Sequence, residues 1–436
     1  MDSTPSLKQR IYEMLMESQY WPPEQMLAYQ RSQLAQLLRH AKATVPFYKT
    51  RLDVVFKRSG EIDWDRWHDI PIVTRADLRD RRNEMLTTDL PPGHGPTYED
   101  GTSGSSGVPI GITQNYLFGW AAVAATYRAY NWHSFDFSQN FLDLKETTDP
   151  ELDWPEAKSA GPWGPAWELK RTLGKKFQMN RATPERNIIE FIQKNKIRYV
   201  SSWPKTIHAF CLAAENFGHD LKLDGVITRG TAVFGDERAD ITRITGAQIL
   251  EQYSSTEAFN MASCCSVKKN LHINDEVMLL EIIDDQGLPC AVGRSGRVVV
   301  TPFFRTAQPL VRYEQGDIAV RGLPCSCGIS LPTLEQVSGR LLDMFYLPGG
   351  RKTLPALPVM AFTARFGSKT WQLVQVAPLK VELRFVKDAT EPDYAYARSM
   401  IAKTLDAEVA VSFVELQKTP LTAGGKFLRY RCEINR

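Results

Sequence analysis

The chain has 436 residues, 43% of them hydrophobic and 24% charged, with 53 Lys and Arg against 50 Asp and Glu for a net charge of +3. That length suits two or three domains, and the composition is that of a globular protein with a sizeable core. So small a net charge argues against nucleic acid or an acidic membrane surface as a partner.

Seven cysteines, at 211, 264, 265, 290, 325, 327 and 432, are spread through the chain. An odd, scattered set points to a reducing compartment with thiols or a metal site, not to a disulfide framework. The first residues lack the apolar core of a signal peptide. No run approaches the roughly 18 apolar residues that a membrane helix needs. The apolar stretch Phe118 to Tyr127 reads as a buried helix, and the expected location is the cytoplasm.

In chain order, residues 6–18 and 24–43 have helical periodicity, the second placing Leu27, Leu34, Leu37 and Leu38 on one broad face. Val45-Pro46 ends it, because the residue before proline avoids the α region. The charged segment 70–90 reads as a surface helix with loops. A glycine-rich loop follows, and Gln114 to Trp132 reads as the helix behind it. Prolines and tryptophans between Lys145 and Lys175 indicate irregular loops of the kind that often wall a pocket. Elements then alternate: helices over Arg186–Lys194, Lys205–Asn216 and Gly235–Ile244, and strands over Ile197–Ser202, Leu223–Thr228 and Gln248–Glu251. That alternation predicts a parallel α/β sheet. Closely spaced strands over Val277–Ile283, Arg297–Thr301 and Leu310–Tyr313 predict an antiparallel or barrel-like subdomain. After Asp343 the composition resets, and strands Trp371–Val376 and Val381–Phe385, helix Pro392–Leu405 and strand Val409–Val414 make a small second domain.

The stretch Glu99 to Gly111 packs four glycines and six hydroxyl or carboxylate side chains into thirteen residues. Glycine permits positive φ and close backbone approach, and successive N–H groups make an anion-binding concavity. The loop lacks the Gly-Lys-Ser/Thr ending of a P-loop and the G-x-G-x-x-G spacing of a dinucleotide fold. Four later segments accompany it: Glu251-Gln-Tyr253-Ser-Ser-Thr256-Glu257, Val311-Arg-Tyr313-Glu-Gln-Gly316-Asp317, Ser338-Gly-Arg340-Leu-Leu-Asp343, and Pro420 to Arg429 around Lys426.

These five segments, in this order and at these distances, resemble the adenylate-forming superfamily of acyl-CoA synthetases and peptide-synthetase adenylation domains. Leu37-Leu38-Arg39-His40-Ala41 and Val45-Pro46-Phe47-Tyr48 resemble more specifically its phenylacetate–CoA ligase branch. The resemblance implies an α/β fold. A large N-terminal domain, 1–342, would hold parallel sheets sandwiched by helices plus a barrel-like β subdomain. A small mobile α+β domain, 343–436, would swing about Asp343 and carry Lys426.

It implies ATP and Mg²⁺ as cofactors and a role for each matching residue. Thr102, Ser103, Gly104, Ser105, Ser106 and Gly107 would hold the β- and γ-phosphates. Tyr253 would stack on adenine, with Gly230, Thr231 and Ala232 lining the same pocket. Glu257 would ligate Mg²⁺, a hard cation that takes carboxylate and phosphate oxygens. Asp317 would accept from the ribose hydroxyls, reinforced by Arg340. Lys426 would meet the substrate carboxylate and α-phosphate, forming with Thr256 and Glu257 the catalytic set. Two positions depart from the family pattern: Ile110 where a lysine is usual, and Ser254 where glycine follows the stacking tyrosine.

Cys265, His272, Cys325 and Cys327 could offer four ligands to a structural Zn²⁺, with Cys264 as rival to Cys265. Members of the branch with a similar pattern carry zinc there. Trp132, Phe135, Phe137, Trp163, Trp167, Trp203 and Phe234 crowd the region before Tyr253, and no clamp for an anionic substrate stands out. With the branch resemblance this favours an aromatic acid such as a phenylacetate, benzoate or aminobenzoate, walled by Trp132, Trp203, Pro204 and Ser254. The acyl acceptor would be coenzyme A, or alternatively a carrier-protein thiol or an amine. A catalytically silent nucleotide-binding protein on the same fold is the reading from a different class. The branch resemblance leans towards a homodimer.

Overall fold

Two helices open the fold, α1 (Leu7–Ser18) and α2 (Pro23–Thr44). Ser6 starts the first by accepting a hydrogen bond from the Gln9 amide at 3.2 Å, which satisfies an amide that the helix itself cannot. Pro23 starts the second at a position where a missing N–H loses nothing. The second helix buries Met26, Gln30, Leu34, Leu37, Leu38 and Ala41, an apolar stripe at three- and four-residue spacing. Leu27 is a correction: its angular position matches the stripe, yet it stands in the first turns and is 49% exposed.

The computed structural model describes every residue except 1–4, 102–109, 148, 166, 168–171, 234, 341–343, 354, 356, 358, 369, 389, 421–426 and 435–436. The segment 70–90 holds a short helix, α3 (Arg75–Asp80), closed by a reciprocal cap between Thr74 and Asp77. Strands β1 (Thr97–Gly101) and β2 (Gly111–Asn115) pair on either side of the glycine loop, so helix α4 (Tyr116–Trp132) begins two residues later than expected.

The alternating region forms as predicted. It comprises β3 (Asn140–Lys145), β4 (Lys158–Pro162), β5 (Lys175–Asn180), α5 (Glu185–Lys194), β6 (Ile197–Ser202), α6 (Pro204–Asn216), β7 (Gly225–Thr228), α7 (Gly235–Thr245) and β8 (Gln248–Ser255). The closely spaced strands are β9 (Phe259–Cys264), β10 (Leu271–Ile273), β11 (Met278–Ile283), β12 (Ser295–Pro302), β13 (Tyr313–Arg321) and β14 (Thr333–Arg340). All except β1 and β2 join one twelve-stranded sheet in the order β11-β12-β13-β14-β10-β9-β8-β7-β6-β3-β5-β4. Strands β5, β3, β6, β7 and β8 are mutually parallel. Beyond them the pairings β8–β9, β9–β10, β10–β14 and β11–β12 are antiparallel. One face of the parallel strands, with Leu142, Leu144, Val200 and Val226, packs on Ile188, Ile192, Ile207 and Phe210 of α5 and α6. Those side chains are fully or nearly fully buried, as a sheet covered by helices requires.

Leu310 to Arg312 is not the expected strand. The Tyr48 hydroxyl donates to the Pro309 carbonyl at 3.0 Å and accepts from the Val311 amide at 3.1 Å, so a side chain satisfies the backbone there. Arg312 adopts a left-handed φ of 52°, which breaks the extended run, and β13 starts one residue later.

The chain divides into two compact units: residues 1–100, 112–315 and 319–337, and residues 101–111, 316–318 and 338–436. The second unit contains β15 (Phe345–Tyr346), β16 (Lys352–Thr353), α8 (Val359–Phe366), β17 (Thr370–Ala377), β18 (Lys380–Val386), α9 (Tyr394–Leu405), β19 (Ala410–Leu416) and β20 (Tyr430–Cys432). Its four-stranded sheet runs β19-β18-β17-β20 around Phe362, Phe366, Trp371, Phe385 and Ile401. No helix among the described residues is long and apolar enough to cross a membrane.

Candidate active site and metal centre

In an open α/β sheet, ligands sit outside the carboxyl ends of the strands, where loops diverge. Gly230, Thr231 and Ala232 follow β7 after Arg229 and are exposed. Gly230 has φ +85°, and a Cβ there would lie 3.1 Å from the Trp203 indole nitrogen, so glycine suits both the turn and the contact. The loop is tied to β8 through Glu251, which accepts from the Val233 amide at 3.4 Å and from Arg238 at 2.7 Å. Tyr253 is half-buried on β8, and the pairing with β9 shifts register between Tyr253 and Ser254. Trp203 precedes α6, Pro204 is its first residue, and the Arg181 guanidinium lies 3.8 Å from the Trp203 ring centroid.

Glu257 follows β8 and is 7% exposed. Its Oε1 accepts from Arg75 at 3.3 Å and from the Tyr313 hydroxyl at 3.4 Å. Oε2 makes no hydrogen bond among the described residues, so one oxygen of a buried carboxylate remains to take a hard cation. Burial first, and then Glu257, pushes the Tyr313 hydroxyl above the ordinary tyrosine range and keeps it a donor. Arg75 is carried by α3, which is anchored beside Tyr313 by a bridge between Val73 and Tyr313.

Arg305 fastens this corner together. It is fully buried, and its guanidinium donates to Gln308 O at 2.8 Å, Gln114 Oε1 at 2.5 Å, Glu257 O at 3.0 Å and Thr113 O at 3.2 Å. Gln114 in turn donates to the Thr256 carbonyl at 2.9 Å. The strand leaving the glycine loop is thus joined to Thr256 and Glu257. Burial lowers the Arg305 guanidinium to about 10, still cationic at neutral pH.

Asp317 is half-buried on β13, and Ile110 is buried; both belong to the second unit. Arg340 ends β14, and its side chain is outside the described set. Thr102, Ser103, Gly104, Ser105, Ser106, Gly107, Phe234, Asp343 and Lys426 lie outside the described residues.

A second constellation sits elsewhere in the first unit. The donor atoms of Cys265, His272, Cys325 and Cys327 all lie within 4.8 Å of one another. Cys327 Sγ is 3.3 Å from His272 Nε2, while His272 Nδ1 meets the Leu331 carbonyl at 3.3 Å and so orients the ring. Three sulfurs and one nitrogen suit tetrahedral Zn²⁺. Cys264 takes no part: its sulfur meets the Glu251 amide at 3.1 Å and the Ile249 carbonyl at 3.5 Å. Trp132 belongs to this neighbourhood, edge-on to His272 at 5.5 Å and hydrogen-bonded to Gln19 at 2.7 Å. Phe135, Phe137 and Trp163 are buried in the core.

Known proteins place this architecture. No family model matches the chain. It is similar to the phenylacetate–coenzyme A ligase of Thermus thermophilus, 23% identical over 363 residues that span 75% of this chain and 73% of that protein. It is likewise similar to the phenylacetate–coenzyme A ligase of Escherichia coli, 25% identical over 345 residues, 75% of this chain and 74% of that one. Among solved structures, 2-hydroxyisobutyryl-CoA ligase in its postadenylation state with an acyl-AMP matches with a TM-score of 0.72 at 18% identity, covering 100% of this chain and 94% of that one. The chain is thus similar to acyl-CoA ligases over three quarters of its length and has the fold of an adenylate-forming ligase.

Several residues of the site carry no signal in the sequence. Arg75, Arg305 and Gln114 carry no motif signal, being set by contacts up to 192 residues apart. Asp143 is another, a buried carboxylate at the end of β3 surrounded by cations. Arg305→Lys keeps the charge but cannot span four acceptors. It should lower the unfolding free energy by about 1.5–3 kcal/mol, read by urea denaturation. The exposed Arg79→Lys should change it by no more than about 0.5 kcal/mol.

Proposed function

We propose that the protein activates an aromatic carboxylic acid with ATP and passes the acyl group to the thiol of coenzyme A. A substrate carboxylate oxygen attacks the α-phosphorus; the bond to the β-phosphate oxygen breaks, and pyrophosphate leaves with that electron pair. The coenzyme A thiolate then attacks the acyl carbon, the acyl–oxygen bond breaks, and AMP leaves. Neither step uses a covalent bond to the protein, so positioning and charge neutralisation carry the rate.

The observation that carries this reading is the pairing of an exposed turn at 230–232 with a buried, half-engaged carboxylate at Glu257, both just beyond parallel strand ends. Tyr253 supplies the adenine platform, Gly230 to Ala232 the pocket edge, and Glu257 the ligand for Mg²⁺. That cation would neutralise phosphate charge when bound. Thr102 to Gly107 grip the β- and γ-phosphates, Asp317 and Arg340 hold the ribose, and Lys426 meets the α-phosphate and the substrate carboxylate. Residues 343–436 form the small domain that delivers Lys426, with Asp343 as its hinge. Trp203, Pro204 and Ser254 wall the acyl pocket; Trp132, which packs on the cysteine–histidine cluster, is left out of it. The phenylacetate–CoA ligase relatives support both the aromatic acid and the coenzyme A acceptor.

Pyrophosphate exchange tests this reading with a panel of aryl acids. At least one acid should support exchange. Lys426→Ala should reduce its rate about 10²–10³-fold, as loss of one transition-state donor does. ATP binding without exchange on any acid would make the protein a silent nucleotide binder. Full exchange by Lys426→Ala would remove that lysine from the mechanism.

The Cys265, His272, Cys325 and Cys327 cluster holds a structural Zn²⁺. Burial first pushes the Cys327 thiol up to about 12, and a bound Zn²⁺ would instead favour the thiolate. Purified protein should contain about one zinc per chain. Cys327→Ser should lose it and lower the thermal midpoint by about 3 °C, the shift for about 2 kcal/mol in a unit of this size.

A further inference from the structure

Strand β3 shows its two faces clearly. Leu142 and Leu144 enter the core beneath α5 and α6, so Phe141, Asp143 and Lys145 face the other way. On that face Ser201 of β6 and Gln178 of β5 stand in register with Asp143. Asp143 is 3% exposed. Arg229 reaches its Oδ1 at 2.5 Å, while Lys176 and Lys145 lie 3.2 and 3.9 Å from Oδ2.

One carboxylate therefore serves three cations, and the cluster carries a surplus of two positive charges. Glu146, which follows Lys145 in the chain, is engaged by Arg181 at 3.1 Å. The three cations keep 30–40% of their side-chain surface exposed, so the surplus opens to solvent while its counterion is buried. Ser201 Oγ is buried and has no hydrogen-bond partner, a hydroxyl in want of an acceptor beside the same carboxylate. Tyr130 of α4 faces the group: burial first, and then Asp143, raises its hydroxyl above the ordinary range. Lys145 is held below the usual lysine range, chiefly by burial, with Lys176 and Arg229 adding to the effect against Asp143.

The cluster adjoins the nucleotide loop. Arg229 immediately precedes Gly230, whose Cβ direction meets Trp203, and Arg181 covers the Trp203 ring. A ligand cation is disfavoured because Asp143 is already saturated. We infer that the acid substrate carries a second carboxylate, taken by Lys145, Lys176 and Arg229 with a hydrogen bond from Ser201. The inference rests on the ligase reading above and narrows its substrate to an aromatic dicarboxylic acid.

The test compares pyrophosphate exchange on matched pairs that share a ring: phenylacetate with homophthalate, and benzoate with phthalate, isophthalate and terephthalate. One diacid should exceed its monoacid in kcat/KM by on the order of tenfold to a hundredfold. Lys145→Met should shrink that ratio about tenfold, mainly through the KM of the diacid. Lys176→Met, at a second partly exposed position, should shrink it in the same sense. A preference for the monoacids, or a ratio unchanged in both variants, overturns the inference while leaving the ligase reading standing. Exchange on no acid at all overturns that reading and the inference with it.

Discussion

A buried guanidinium must be paired on every side or the fold does not tolerate it, and Arg305 meets that demand at the most consequential corner of the molecule. Its acceptors come from three places: Thr113 and Gln114 at the exit of the glycine loop, Glu257 beyond β8, and Gln308 beside Arg305 itself. None of these segments adjoins another along the chain. Each is held because an unpaired buried polar group would be more costly than the turn that pairs it. The Glu257 carboxylate thereby inherits the rigidity of the core, since it projects from a backbone that Arg305 has already fixed.

The same electrostatic logic, inverted, governs the far side of the strand ends. Around Arg305 the cation is fully enclosed by acceptors. Around Asp143 the anion is enclosed, and its cations reach solvent. The first arrangement is satisfied within the protein; the second has charge left over. Between them run β6, β7 and β8, whose carboxyl ends carry Trp203, Gly230 and Tyr253.

Much of the architecture could be read from residue order because the signals were local. Helix and strand alternate from Glu185 to Ser255 with the expected periods, and β6 falls on the predicted residues. The misreadings have non-local causes. Leu310 to Arg312 looked like a strand, yet a tyrosine more than 260 positions away supplies its hydrogen bonds. The sequence showed no anion clamp because Asp143, Lys176 and Arg229 converge from β3, β5 and the end of β7, and only parallel register brings them together. Cys264 stood in the sequence as a rival to Cys265. In the structure the first bonds to β8 backbone while the second meets Cys325 at 3.8 Å. Ser254 and the glycine loop were singled out within sequence motifs, whereas Arg75 and Arg305 have no motif to find.

The central claim is that a carboxylate oxygen of the substrate attacks the α-phosphorus of ATP. Its most direct measurement uses acid labelled with ¹⁸O in the carboxyl group, carried through a full turnover with coenzyme A, with the AMP analysed by mass spectrometry. Attack at the α-phosphorus leaves a substrate oxygen on phosphorus, so the AMP should acquire one ¹⁸O per turnover. Formation of ADP and phosphate, or of AMP without label, would contradict the account.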